Sequence, residues 1–271
     1  MVGQGQSGRS EVLRGVESLL AFWADAGVEA IYADQPVNRL LRPELPKAAE
    51  TPRSGPVAVV AGPDIAGAVA EAAALAAGAD SLEALAAAIA DFNGCSLKFE
   101  GARQSVFARG SESADIMVIG EGPGADEDVR GLPFVGRAGQ LLDKMLAAAG
   151  LTDRVFVTNT VYWRPPGNRT PTLAEQAVCR PFVERAISLV NPKALLLAGG
   201  ASAKSMLGRD EGILSLRGRW FEWSSGDGAI NLPALPTLHP AFLLRTPGAK
   251  KKAWGDLLTL VERLDRPDRS T

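Results

Sequence analysis

Two cysteines, one histidine and two tyrosines are all that 271 residues contain of those types. Cys95 and Cys179 are too few for the disulfide framework of a secreted domain, and leave either two reduced thiols or the remnant of a metal site. No run of about 18 uncharged apolar residues occurs, and the opening "MVGQGQSGRS" lacks the apolar stretch of a signal peptide. These absences point to a chain that works in the cytoplasm with no membrane contact. One sign of charge does not dominate either, since the net is −2.

The balance changes when the chain is halved. Residues 1–150 carry 12 Lys+Arg against 20 Asp+Glu, a net −8, and residues 151–271 carry 17 against 11, a net +6. The basic residues gather in "RPPGNR" (Arg164, Arg169), "RGRW" (Arg217, Arg219), at Arg245 and at Lys250–Lys252. Basic groups beside Pro/Gly-rich loops suit contact with phosphates, and equally suit solvated loops.

Apolar content of 46% supports a packed core. In "EVLRGVESLLAFWADA" (11–26) Val12, Val16, Leu19, Leu20 and Trp23 recur at helical spacing. Residues 37–63 read as a linker, and two Ala-rich helices follow near 64–77 and 81–92, the second opened by "DSLEAL" with Ser81 as cap. From residue 114 apolar runs alternate with helical stretches. Strands are expected at 114–120, 154–160, 193–200 and 232–240, and helices near 138–149, 172–190, 200–207 and 247–264. This alternation predicts an α/β fold, a three-layer α/β/α sandwich around a central four-stranded parallel sheet, with an N-terminal helical extension and linker over 1–91 and the α/β domain over 92–271. Ligands bind outside the carboxyl ends of such strands, where the glycine loop at 120–124, Asn159, Gly199-Gly200 and His239 would converge.

The loop "GEGPGADEDVRGLPFVGRAG" (120–139) matches the G-x-G-x-x-G/A pattern of a dinucleotide site. Against that reading, Pro123 interrupts it, no convincing helix is expected before Ala138, and Asp126, Glu127 and Asp128 would face the anion they should attract. No Gly-Lys-Ser/Thr follows, so a P-loop is weaker still.

Together "GEGPGADEDVRGLPFVGRAGQLL", "VTNTVYWRPPGNRTP" and "TLHPAFLLR" resemble the uracil-DNA glycosylase superfamily, most closely its family 4, over roughly residues 92–264. The resemblance implies a base-flipping enzyme that hydrolyses the N-glycosidic bond of uracil in DNA and leaves an abasic site. It gives His239 a hydrogen bond to uracil O2 as charge develops there, Asn159 the pairing edge of the base, and Phe134 a stacking face. Gly122 stands where another branch has a water-orienting aspartate, and its bareness would let backbone approach the base. Glu121 is then the candidate to hold the water, with Asp126, Glu127 and Asp128 behind it. Leu243, Leu244 and Arg245 match a minor-groove loop that would wedge into the gap left by the base, with a helix N-terminus packed on the core as the other reading of Leu243. Arg137, Arg164, Arg169, Arg217 and Lys250 are expected on phosphates.

The chain also departs from that family. Its members usually hold a [4Fe–4S] cluster on four cysteines, but here "CSLK" puts Lys98 at the second position and "VYWRPP" puts Trp163 at the third. Two thiolates do not hold a cubane that takes four, so no cluster and no metal is expected, with Trp163 and Lys98 filling its volume. The branch that captures uracil-DNA covalently uses a histidine in a basic insert, and neither insert nor second histidine is present. A monomer acting on DNA with uracil or other deaminated bases is expected, associated with the nucleoid through DNA. The alternatives are a broader glycosylase taking xanthine, hypoxanthine or etheno bases, and a damage-binding protein without catalysis.

Overall fold

The computed structural model describes residues 64–265. The helix expected at 11–26 and the linker at 37–63 lie outside the described residues. Two short helices come first, α1 (Ile65–Gly78) and α2 (Leu82–Asp91). Each starts on a side-chain cap: Asp64 Oδ1 accepts from Gly67 N at 2.9 Å and Ser81 Oγ from Ala84 N at 3.1 Å, satisfying N–H groups that a helix start leaves unpaired.

Strands and helices then alternate. They are β1 (Arg109–Gly110), β2 (Ile116–Gly120), α3 (Ala125–Arg130), α4 (Arg137–Ala148), β3 (Val155–Asn159), α5 (Leu173–Val190), β4 (Ala194–Ala198), α6 (Gly200–Leu207), α7 (Ile213–Leu216), β5 (Phe221–Ser224), β6 (Asn231–Thr237), α8 (Pro240–Arg245) and α9 (Lys250–Asp265). Every residue of β2, β3 and β4 is buried, as a parallel strand covered on both faces requires. Their side chains alternate between two layers. Met117, Ile119, Leu195 and Leu197 meet α1, α2 and α5, while Ile116, Val118 and Leu196 meet α4 and α9.

The sheet has six strands in the order β1-β3-β2-β4-β6-β5. The expected four parallel strands are its centre, and the correction is an antiparallel strand on each edge: β1 on β3, and β5 on β6. A two-residue edge such as Arg109–Gly110 leaves too short an apolar pattern to be read as a strand. The chain leaves β2 toward β3 and returns to β4 on the other side, so strand order reverses at β2. Register sets Gly120 beside Asn159 and Ala198 beside Thr237 at the carboxyl rim.

Helices α1 and α2 share one hydrophobic cluster with α5 and the sheet, through Ala72, Ala76, Leu85 and Ile89. A boundary at residue 91 therefore passes through a common core. Ala-rich segments carry little apolar area per residue, so the sequence shows two helices without showing what they pack on.

Candidate active site

Three rim elements meet over Gly120. A methyl group at that α-carbon would strike both Asn159 Oδ1 and the Phe134 ring, so the glycine is what lets amide and ring approach. Asn159 is 1% exposed, and neither Oδ1 nor Nδ2 has a hydrogen-bond partner among the described residues. A buried amide left so costs about 1–3 kcal/mol per unpaired group, a cost that a ligand with a complementary donor–acceptor edge removes.

Phe134 sits at φ 54, a left-handed conformation that costs a bulky residue roughly 1–3 kcal/mol and persists only where its surroundings over-determine it. They do. Arg109 donates to Pro133 O at 2.8 Å and Phe134 O at 3.2 Å, and pairs with Asp143 at 2.6 Å. Glu127 Oε1 accepts from Val135 N and Gly136 N, both at 2.9 Å. Gly139 leaves the space into which the Phe134 carbonyl packs, since any Cβ there would collide with it.

His239 follows β6 and starts α8, where its Nδ1 accepts from Ala241 N at 3.1 Å. The proton of the neutral ring is thereby assigned to Nε2. Burial lowers its pKa to about 4, helped by Arg245 and opposed by Glu127, so the imidazole is neutral at pH 7. Its ring lies 5.7 Å from that of Phe134 at 31°. Gly199, at φ +100, is the bare floor beneath it: a Cβ would come within 2.9 Å of His239 Cβ.

Glu121, Gly122, Glu127, Phe134, Arg169, His239 and Arg245 line a cavity of about 480 Å³. Of the acidic run, only Glu127 reaches it. Asp126 is exposed on α3, and Asp128 is 2% exposed with its Oδ1 accepting from Arg103 N at 2.8 Å. Helical rotation is the cause: three consecutive carboxylates on α3 point to three different sides. That helix corrects the expectation of none before Ala138. The N–H of its cap residue Gly124 is taken by Glu127 Oε2 at 3.1 Å, which sets a carboxylate where a phosphate would have to sit.

Other expected site residues divide. Gly122 is bare for packing, as a Cβ would meet Val161 Cγ2 at 2.9 Å. Leu243 is fully buried with Leu238 and Ala253, which corrects the wedge assignment, while Leu244 is 37% exposed beside exposed Arg245. Arg217 is turned inward onto Asp256 and the Lys252 carbonyl, so it is not a free phosphate contact. Arg169 stands on the cavity rim but pairs with Glu175 at 2.7 Å and Glu100 at 3.1 Å. Arg164 donates to Asn168 at 2.7 Å, and Arg137 and Lys250 are exposed at the starts of α4 and α9. Arg109 and Gly139 are the site residues that the sequence did not single out, and no motif marks either. Glu127 was expected behind Glu121 and Gly199 on the rim, but holding the Phe134 loop and flooring His239 are roles that only the structure displays.

At a second place Cys95 and Cys179 are buried together. The neighbouring Cys179 thiol lowers Cys95 from the ordinary thiol value, while Cys95 and burial push Cys179 well above it. Trp163 is 1% exposed, with its ring 6.5 Å from Phe92 and 6.4 Å from Tyr162. Lys98 Nζ donates to Ala90 O at 2.6 Å and Phe92 O at 3.0 Å, at the carboxyl end of α2. Among the described residues no group of three or more His, Cys, Asp or Glu is placed to hold a metal ion.

On the carboxyl rim of an open α/β sheet the cavity is thus walled by an aromatic face and a neutral imidazole, with the Asn159 amide, unpaired among the described residues, buried beside the Phe134 ring. The uracil DNA glycosylase superfamily model matches residues 107–258, and the chain belongs to that superfamily. Its relatives include three type-4 uracil-DNA glycosylases. The protein of Thermotoga maritima is 42% identical over 143 residues, 52% of this chain and 71% of the relative. That of Sulfurisphaera tokodaii is 36% identical over 198 residues (71% and 89%), and that of Saccharolobus solfataricus 35% over 192 (68% and 87%). The chain is thus family 4-like.

Proposed function

We propose that the protein is a DNA repair glycosylase that hydrolyses the N-glycosidic bond of uracil in DNA and leaves an abasic site. The observation that carries this reading is the unpaired Asn159 amide set beside the Phe134 ring. A flipped uracil offers N3–H and O4 side by side, and one carboxamide can accept from the first and donate to the second. Phe134 stacks on the base, a contact worth about 1–3 kcal/mol. Bond cleavage moves negative charge to O2, where a neutral His239 Nε2–H donates. Being neutral, the imidazole is not a proton source, and its role is electrostatic. Glu121 on the cavity wall orients the attacking water, and Glu127 holds the loop that carries Phe134. Arg245, Leu244, Arg137, Arg164 and Lys250 face the DNA strand. The protein acts as a monomer in the cytoplasm on nucleoid DNA; among the described residues no helix is long and apolar enough to cross a membrane.

The residues present do not fit the family's iron–sulfur cluster. Two sulfurs stand where four are needed, an indole occupies the third position, and the Lys98 ammonium is committed to two carbonyls. Phe92 after α2 packs on Trp163 and on Phe182 of α5, and Lys98 ties its own segment back to the end of α2.

A cavity of about 480 Å³ has room for more than a pyrimidine, which favours a second reading in which deaminated purines are also excised. One assay separates the readings. Labelled oligonucleotides bearing uracil, xanthine, hypoxanthine or etheno bases are incubated with the protein, and abasic sites are revealed with alkali. Uracil cleavage is expected; binding of every lesion without cleavage would select a damage-binding protein instead.

A further inference from the structure

Asp256 is a buried carboxylate that the proposed chemistry does not use. It lies in α9, 1% exposed, and gathers three elements. Thr237 Oγ1 donates to its Oδ2 at 2.7 Å, and Arg217 Nε donates to the same oxygen at 3.1 Å. The other Arg217 arm bonds Asp256 Oδ1 and donates to Lys252 O at 2.5 Å. Gly218, at φ +71, leaves room for the carboxylate, since a Cβ there would lie 2.7 Å from Oδ1. Its own N–H donates to Pro236 O at 3.0 Å.

The target of this cluster is the end of β6. Thr237 is two residues before His239, and its carbonyl accepts from Gly199 N at 2.9 Å. Gly199 is the bare residue against which the His239 side chain rests. One threonine therefore ties the strand end both to the buried carboxylate, through its hydroxyl, and to the floor of the imidazole, through its carbonyl. On the other side the clamp on Lys252 O holds the first turn of α9, where Lys250 to Lys252 are exposed.

We propose that Asp256, acting through the Thr237 hydroxyl, is a positioning residue that fixes where His239 presents Nε2 to the base pocket. The proposal rests on the glycosylase reading for what His239 does there, but not for whether the imidazole is held. A hydroxyl group removed from Thr237 frees the strand end without opening a large cavity, so Thr237→Val is the informative variant, and Thr237→Ser is the conservative one that keeps the bond.

The full chain carries a single histidine, so its imidazole signals in an NMR titration are those of His239 alone. In Thr237→Val the ring midpoint is expected to rise from about 4 toward the unperturbed 6.5 as the ring loses its enclosed position. Single-turnover cleavage of a uracil-containing single-stranded oligonucleotide is expected to slow about tenfold or more, the scale of a small misplacement of a reacting group. Affinity for a uracil-free oligonucleotide should stay within about twofold, and Thr237→Ser should restore both midpoint and rate. An unmoved midpoint in Thr237→Val, or a Thr237→Ser variant as altered as Thr237→Val, would overturn the proposal. If the parent protein cleaves no uracil-DNA, the glycosylase reading fails, while the midpoint still decides whether Asp256 and Thr237 hold the ring.

Discussion

The rim around Gly120 and the corner around Cys95 are built on opposite terms. At the rim, an amide is buried without partners among the described residues, a phenylalanine is held at positive φ, and an imidazole is kept neutral by burial. At the corner, the thiols pair with each other, Lys98 has two carbonyl acceptors, and Trp163 sits among aromatic rings. Backbone strain and an unpaired amide persist at the rim beside the cavity, whereas the corner keeps one unmet group among the described residues, the Tyr162 hydroxyl, inside close aromatic packing. The contrast predicts that changes at the rim cost rate and changes at the corner cost stability.

The sharpest test of the rim is Gly199→Ala. The new methyl meets His239 Cβ and also strains a residue at φ +100, so single-turnover cleavage should fall on the order of 10²–10³-fold. Trp163→Ala is its counterpart at the corner. Removing a fully buried indole should lower unfolding stability by about 3–5 kcal/mol while leaving the rate per folded molecule within a few-fold, measured by denaturant titration beside the cleavage assay. A Trp163→Ala protein that is stable but slow would erase the distinction.

Phe134→Ala removes the stacking face and should weaken binding of uracil-DNA by about 1–3 kcal/mol, read from the concentration dependence of single turnover. The pH profile separates the regions more gently. A His239 with its pKa near 4 keeps Nδ1 as the acceptor of the Ala241 N–H through the neutral range, so its limb of the rate profile should fall only as pH drops toward 4, where a proton on Nδ1 breaks that contact and frees the ring, rather than near 6.5. The same depressed value makes the unfolded chain bind the extra proton between those limits, so this residue's share of stability grows as pH rises from about 4 to 6.5 and is lost on acidification. The smallest effect is expected for Asp126→Asn: exposed on α3 and off the cavity wall, it should change rate by less than a few-fold.

The placement of the candidate residues was legible in the sequence because they are rare types at strand ends, while the roles proposed for them come from the family resemblance. A lone histidine after "PTL", an asparagine closing "VFVTN" and an aromatic inside a glycine loop all fall on the carboxyl rim once the strand pattern is known. Direction was harder to read. Asp126, Glu127 and Asp128 are adjacent in sequence, yet one helical turn sends them to solvent, pocket and core. Leu243 and Leu244 divide in the same way, the first into the core and the second onto the surface. Arg217 looked like a phosphate contact because its partner, Asp256, lies 39 residues away and no spacing announces it. Supports such as Gly199 and Gly139 are set by what approaches them in space, which a single sequence does not display.

The central claim is that the rim pocket excises uracil with His239 as the donor to the developing charge. Single-turnover assays of the parent protein and His239→Ala on one uracil-containing oligonucleotide, scored as abasic sites, test it most directly. Cleavage at the uracil by the parent and a loss on the order of 10²–10³-fold in the variant are expected. No abasic sites from the parent, or a variant within a few-fold of it, would rule out His239 as that donor.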